Sequence, residues 1–331
     1  MKDYSVPLTL IGILSDGEFH SGEFHSGEQL GDKLGMTRAA VNKHIRTLRE
    51  MGIEMETVTG KGYRLFAPMN LLQPDVIRTL LPGRNVEVLP VIGSTNQHMM
   101  DKVGELTSGD ACVAEYQYAG RGRRGRQWIS PFGRNLYLSL YWRLEQGPAA
   151  AIGLSLVVGI VLAETLHELG ATGVKVKWPN DLYLDDKKLA GILVELQGKT
   201  GDAAHVVIGI GINLTMESSG TDQIGQQWIN LQQSGIQIDR NILSAEFIKH
   251  LTDALHLFEK SGLTPFIERW YAFDNYLNRE VKLIIGEREV FGVSRGINGQ
   301  GALLLDQFGE ITPYIGGEIS LRGVNSKNKP A

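Results

Sequence analysis

Gly120-Arg121-Gly122-Arg123-Arg124-Gly125-Arg126 runs directly into Gln127-Trp128-Ile129-Ser130-Pro131-Phe132-Gly133, and this stretch separates the candidate folds. Its spacing satisfies G-x-G-x-x-G, the pattern that opens the helix of a dinucleotide-binding βαβ unit. The residues after it do not fit that unit, because Trp128, Ser130, Pro131 and Gly133 stand where a helix is required. No Gly-Lys-Ser/Thr closes the run, so a P-loop is excluded as well. What remains is a glycine-rich loop carrying four arginines between positions 121 and 126. Charge repulsion and glycine entropy predict little packing of its own until an anion, a phosphate or carboxylate, orders it through charge-assisted hydrogen bonds. A solvated or RNA-contacting basic loop fits the same residues.

Outward from the loop, alternation and apolar runs predict strands at 86–91, 111–117, 136–142, 174–178, 189–196 and 206–213. Helices are predicted at 94–103, 149–169, 241–260 and 265–271, without a strict βαβ rhythm, which makes this part α+β with a mixed sheet. Gly93 precedes Ser94-Thr95-Asn96-Gln97, a helix start rich in small hydrogen-bonding side chains that can hold a polar ligand; a plain N-cap explains Ser94 equally well. Lys177-Trp178-Pro179-Asn180-Asp181 ends one strand, and Asp185-Asp186-Lys187-Lys188 turns into the next. Gly191, Gly209 and Gly211 then leave room for a ligand to approach the backbone, or for tight sheet packing.

Nearer the N-terminus, Leu30 and Leu34 close a short helix, Gly35 breaks it, and Thr37 caps a helix with Val41, Ile45 and Leu48 on one face. The other faces present Arg38, Asn42, Lys43, Arg46 and Arg49, groups suited to phosphates and base edges. A β-wing follows through Ile53, Met55 and Thr57, turning at Thr59-Gly60-Lys61-Gly62 and returning through Tyr63, Arg64 and Leu65. A small helical bundle with a solvated basic face is the competing reading; Lys61 and Arg64 on the wing count against it. Before this unit, Gly17-Glu18-Phe19-His20-Ser21 is repeated at once as Gly22-Glu23-Phe24-His25-Ser26, a local duplication of the kind loops tolerate. His20 and His25 have no Cys or carboxylate cluster at zinc-site spacing, and no metal-ligating residue is assigned.

Beyond 275, short strands at 281–285, 290–294, 302–305 and 318–321 between Gly and Asn turns predict a small β-barrel, and 325–331 reads as a frayed end. Three domains are therefore expected, a winged helix-turn-helix at 1–66, a mixed-sheet domain at 67–274 and a barrel at 275–331. The net charge of -4 confines any DNA contact to a local patch. A single cysteine, Cys112, excludes an internal disulfide framework, and its apolar neighbours place it on a buried strand. No secretory leader is read at the N-terminus, and the apolar run 149–163 falls short of the roughly 20 residues that cross a bilayer. A cytoplasmic protein with no membrane partner is expected.

In order and spacing, Ser94-Thr95-Asn96, Gln117, the 120–126 loop, Lys177 to Asp181, Lys188-Leu189-Ala190-Gly191-Ile192-Leu193 and Gly209 to Asn213 resemble the biotin-protein ligases. With the N-terminal unit, the resemblance extends to the bifunctional biotin ligase and biotin operon repressors, and it implies an SH3-like form for the C-terminal barrel. It implies formation of biotinyl-5'-AMP from biotin and ATP with Mg2+, then transfer to one lysine of a biotin carboxyl carrier protein. Lys188, Arg121, Arg123 and Asp181 become the catalytic candidates. Ser94, Thr95, Asn96, Gln117, Gly120, Arg121, Arg123, Lys188 and Gly191 become those for biotin, and Arg123, Trp128, Asn180, Lys188, Asn213 and Trp228 those for ATP. Asn180 and Asp181 serve the metal, the phosphates or the attacking lysine, undivided at this stage. Trp128 and Trp228 either cover the ligand or belong to the core, and 215–227 reads as a second loop near the adenine. Operator DNA is the implied partner of Thr37, Arg38, Asn42, Lys43, Arg46, Lys61 and Arg64, bound by a homodimer of the adenylate-loaded form. The duplicated pentapeptide departs from the family pattern and bears on the DNA role first. A biotin-sensing transcription factor without catalysis and a lipoate-protein ligase are the competing functions.

Overall fold

The computed structural model describes residues 4–15, 23–66, 69–199, 201–216, 224–315 and 319–323. Helix α1 (Ser5–Ser15) buries Leu10, Ile11 and Leu14. α2 (Gly27–Leu34) begins with a reciprocal capping box: the Ser26 hydroxyl accepts from Gln29 N while the Gln29 side chain accepts from Ser26 N. Gly35, at φ 63°, ends it. α3 (Arg38–Glu50), capped by Thr37, turns Val41, Ile45 and Leu48 inward. β1 (Met55–Val58) and β2 (Gly62–Leu65) form the expected antiparallel wing. An addition not legible in the sequence is His25, which exchanges two backbone hydrogen bonds of 2.9 Å with Tyr63. A Cβ on Gly62 would run into the His25 carbonyl, so that approach requires glycine. Residues 23–26 of the second copy are thereby built into the unit, with Phe24 under the Arg64 guanidinium at 4.6 Å. The first copy, 17–21, lies outside the described residues.

The larger unit continues through α4 (Pro74–Leu80), β3 (Val86–Leu89), α5 (Thr95–Asp101), β4 (Ala111–Ala114) and β5 (Asn135–Leu144). It then runs through α6 (Leu154–Glu168), β6 (Lys175–Lys177), β7 (Asp181–Leu184), β8 (Lys187–Gln197), β9 (Ala204–Asn213), α7 (Arg240–Ser261) and α8 (Ile267–Phe273). The sheet order is β3-β4-β5-β9-β8-β7-β6, with β3 and β4 parallel and the other pairs antiparallel, the mixed sheet expected. Alternation sorts its faces. Leu136, Leu138 and Leu140 of β5 and Ile208, Ile210 and Ile212 of β9 join the core under α6 and α7. Tyr137, Ser139 and Tyr141 of β5, with Gly209, Gly211 and Asn213 of β9, face the other way. Cys112 on β4 is fully buried with Met99, Tyr141 and Val207.

The helical stretch Pro148–Glu168, counting its opening 3-10 turn, spans 21 residues and is long and apolar enough to cross a membrane, longer than the run 149–163 expected from sequence. Its apolarity has a core explanation, because Gly159 lies against Ile192, Val176 and Leu182. β7 is a strand that the sequence pattern does not announce. Instead of ending the strand, Lys177 to Asp181 forms a tight hairpin through Trp178, Pro179 and Asn180, whose second arm is Asp181–Leu184.

The C-terminal unit is a five-stranded antiparallel sheet of β10 (Glu280–Ile285), β11 (Arg288–Ile297), β12 (Leu303–Gln307), β13 (Glu310–Tyr314) and β14 (Ile319–Gly323), in the order β13-β12-β11-β10-β14. A register shift between Ser294 and Ile297 bends β11. β13, centred on Ile311-Thr312-Pro313, is additional to the expected strands, since its one proline and edge position weaken the strand signal. Contacts on both sides join the units to the sheet, an Arg279–Asp186 ion pair among them. Phe132, 1% exposed, packs into the helix-turn-helix core and its N donates to Met51 O at 3.0 Å. Trp178 Nε1 donates to Gly301 O at 2.9 Å.

Candidate active site

A cleft of about 800 Å³ opens on the face of the sheet away from α6 and α7, lined by the start of α5, the arginine loop, the β6–β7 hairpin, β8, β9 and residues 224–228. One end is polar. Ser94 caps α5, accepting from Gln97 N at 3.5 Å, which is the plain capping role. Gln117 Oε1 accepts from both Thr95 N (2.9 Å) and Thr95 Oγ1 (3.2 Å), while its Nε2 donates to Ser130 Oγ at 3.0 Å. These bonds fix which way the Gln117 amide faces and leave its second N–H available. Asn96, expected to bind ligand directly, is instead spent on the scaffold. Its Oδ1 accepts from Ser139 Oγ at 2.6 Å, and its Nδ2 donates to Leu193 O at 3.2 Å and Glu195 Oε2 at 2.9 Å. Only glycine fits beneath it, because a Cβ on Gly209 would overlap its amide.

The arginine loop differs from the expectation that it would lack packing of its own. Arg121 and Gln127 form an antiparallel bridge, Gly122 N donates to Arg126 O at 2.7 Å, and Trp128 N donates to Gly120 O at 2.9 Å. The repulsion among its arginines is offset by partners. Arg121 donates to Gln97 Oε1 (2.8 Å) and Glu195 Oε2 (2.5 Å), and Arg123 to Asn180 Oδ1 (2.6 Å). Burial pulls the Arg123 guanidinium below its usual pKa, with Asp181 acting in the opposite direction. Arg121 is thus committed to α5 and β8, and Arg123 is the loop arginine held against the hairpin.

Trp128 lies on a floor of two glycines. A Cβ on Gly191 would come within 3.0 Å of its ring, and one on Gly211 would overlap it outright. Its Nε1 is buried against Gly211 of β9 without a hydrogen-bond partner. Lys188 Nζ sits 5.7 Å from the centre of that ring and 2.8 Å from Asp181 Oδ1, with both side chains about 15% exposed. That contact is an ion pair without hydrogen-bond alignment, and Asp181 Oδ1 keeps an unfilled acceptor. Lys188 and Trp228 are backbone-bridged, and Trp228 is half-buried at the cleft edge rather than in the core. Asn213, 3% exposed, donates through Nδ2 to Ile229 O at 3.3 Å and steadies the segment leading to Trp228. Most of the expected 215–227 loop lies outside the described residues.

Every residue proposed from sequence for biotin or ATP, except Gly120, lines this one cleft. Gly120 serves the loop itself, since a Cβ there would crowd Trp128 O and lie 2.7 Å from Ser130 Oγ. Ser130, Ser139 and Glu195 were missed. Ser139 carried a faint signal as the polar residue on the otherwise aromatic face of β5; the other two carried none. On the helix-turn-helix, Arg38, Asn42, Lys43, Arg46 and Lys61 are exposed. Arg64 departs from the DNA-facing set: it pairs with Glu56 across the wing and stacks on Phe24, so it stiffens the hairpin.

Three family models match the chain: the biotin/lipoate A/B protein ligase family over residues 88–213, an HTH domain over 19–64, and the biotin protein ligase C terminal domain over 276–322. The bifunctional ligase/repressor BirA of Salmonella typhimurium is 65% identical over 322 residues, which cover 97% of this chain and 99% of that protein. The chain belongs to the biotin protein ligase family. The Escherichia coli K12 ligase/repressor BirA is 63% identical over the same shares. Among solved structures, the biotin protein ligase of Aquifex aeolicus in complex with biotin and ATP matches with a TM-score of 0.63 at 31% identity, covering 72% of this chain and 99% of that one. As a biotin protein ligase the chain is an enzyme, and its helix-turn-helix corresponds to the repressor half of the bifunctional relatives.

Proposed function

We propose that the cleft joins the carboxylate of biotin to AMP and passes the biotinyl group to a lysine of a biotin carboxyl carrier protein. The carrying observation is the convergence of Lys188, Arg123 and the Trp128 ring on one cleft whose far end is lined by oriented amide and hydroxyl groups. A biotin carboxylate oxygen attacks the α-phosphorus of ATP, and the bond to pyrophosphate breaks. Two anions must meet in that step, so fixed cations in a partly dry site stabilise the charge that builds between them. Lys188 supplies this charge at the middle of the cleft and Arg123 at its rim. Thr95 and Gln117 hold the polar ring system, with the Gln117 amide pre-set by Thr95 and Ser130. In the second step an uncharged carrier amine attacks the acyl carbon, AMP leaves, and the amine proton passes to solvent or to a carboxylate such as Asp181.

Mg2+ enters such sites bound mainly by phosphates and one or two carboxylates. Asp181 is the carboxylate present for it: Oδ1 makes no aligned hydrogen bond but faces the Lys188 ammonium at 2.8 Å, a contact the ion would have to share or displace. Among the described residues no group of three or more His, Cys, Asp or Glu converges. Held by Asp181 and ATP, the ion would offset charge on the departing pyrophosphate.

In this reading α3 and the wing contact operator DNA through Arg38, Asn42, Lys43, Arg46 and Lys61, a role supported by their exposure. A two-fold dimer suits a palindromic operator, and the sheet offers an edge for one. β7 pairs with β8 only as far as Gly191 and Asn180 takes the outer groups of Ile192, so no described strand covers the outer side of Val194 to Gln197. The activity is placed in the cytoplasm, with ATP, carrier and DNA. Biotin-dependent exchange of labelled pyrophosphate into ATP tests the first step. Exchange with biotin and none with lipoate is expected; exchange with lipoate alone would transfer the chain to the lipoate reading, and none with either would favour a sensor without catalysis.

A further inference from the structure

Two side chains that line the polar end of the cleft, Asn96 and Arg121, converge on Glu195, which has no part in the mechanism above. Its side chain leaves β8 on the face of Gly191 and Leu193, since residues two apart on a strand share a face. One oxygen, Oε2, accepts from Asn96 Nδ2 at 2.9 Å and from Arg121 Nη2 at 2.5 Å. Asn96 belongs to the first turn of α5 and Arg121 to the arginine loop, so a single atom of the sheet ties together two separately folded pieces of the pocket wall. Both partners make further bonds, although Arg121 Nε is buried without one. Asn96 Oδ1 takes the Ser139 hydroxyl and its amide also serves Leu193 O, while Arg121 Nη1 serves Gln97.

We infer that Glu195 is a positioning residue for biotin: it sets the spacing between the start of α5, with Thr95, and the arginine loop that closes over the ring. This rests on the reading of that end of the cleft as the biotin-ring subsite. The ion pair is about one-third exposed on each side, and pairs of that kind add little to global stability. Its loss therefore acts on the geometry of one subsite. Because both partners use the same oxygen, Glu195→Gln can present its amide oxygen there and keep the geometry at lower charge, whereas Glu195→Ala removes both tethers.

The test is steady-state labelling of a biotin carrier domain by the full chain, with KM for biotin, KM for ATP and kcat measured separately alongside a melting curve. Glu195→Ala is expected to raise the biotin KM about tenfold and Glu195→Gln about threefold, the scale of losing a charge-assisted bond or only its charge. ATP KM, kcat and the melting temperature should stay near those of the parent. An unchanged biotin KM in Glu195→Ala overturns the inference. So does a rise in both KM values together with a fall in kcat and in melting temperature, the mark of general loosening. Where the alanine variant does not fold, the isosteric Gln variant decides by the same criteria. Parent labelling in the same series separates a failure of the ligase reading from a failure of this one.

Discussion

Replacing Gly211 by alanine places a methyl group into the ring of Trp128. Neither Gly211 nor Gly191 has a backbone conformation that disfavours alanine, so the effect is one of space alone. The new Cβ would overlap Cε2 and Nε1 and stand 2.7 Å from Cζ2, against an optimum of about 3.5–4.0 Å between carbons. The indole must retreat by about 1 Å, and the buried Nε1 moves with it. Overpacking of this kind costs about 1–3 kcal/mol, which is roughly 5- to 150-fold in an affinity. Gly191→Ala meets the same ring at 3.0 Å and the Lys188 stem at 3.3 Å, distances that small shifts absorb, so its penalty should be smaller. Calorimetric titration with biotin checks both, with tryptophan fluorescence reporting the ring. The expected order of affinity is parent, then Gly191→Ala, then Gly211→Ala. A Gly211→Ala chain that binds biotin like the parent would refute the placement of Trp128 on the floor of the ligand cleft.

Lys188→Ala should lower kcat for adenylate formation by about 10²–10³, the cost of removing one oriented stabiliser of transition-state charge, with little change in melting temperature; pyrophosphate exchange checks it. Arg240 and Glu115 form a pair about 5% exposed, in which Arg240 also donates to Asn70 O and Gly133 O. Arg240→Ala strands a buried carboxylate at a cost of about 3–5 kcal/mol, and scanning calorimetry should show the transition falling by roughly 10 °C. Burial pushes the Cys112 thiol up to about 12. An acid whose pKa is raised by folding favours the folded state while protonated, so this stabilisation is complete below the unfolded thiol pKa near 9.0 and is lost as pH rises from there through about 12. Iodoacetamide at pH 8 should therefore spare Cys112 until the chain is unfolded, as mass spectrometry would show.

The fold was legible where local chemistry determines it. Ser26, Thr37 and Gly35 mark helix ends by their own side chains or lack of one, and the alternation of 135–144 and 204–213 sorts two faces without reference to the rest of the chain. β7 and β13 were not legible, because each is four or five residues long and is held by its neighbours rather than by its own pattern. Among site residues, sequence marked those that stand beside glycines and charges, such as Lys188 and Arg123. It could not show that Arg121 and Asn96 turn toward Glu195, since that meeting depends on pairs 74 and 99 positions apart. Arg64 likewise looked available for DNA until the register of the wing set it opposite Glu56.

The intact mass of a biotin carrier domain, incubated with the full chain, ATP, Mg2+ and biotin, decides whether this cleft transfers biotin through an adenylate. A gain of one biotinyl group per carrier, absent without ATP and lost in Lys188→Ala, is the predicted result. An unmodified carrier beside a chain that still binds biotin would contradict it.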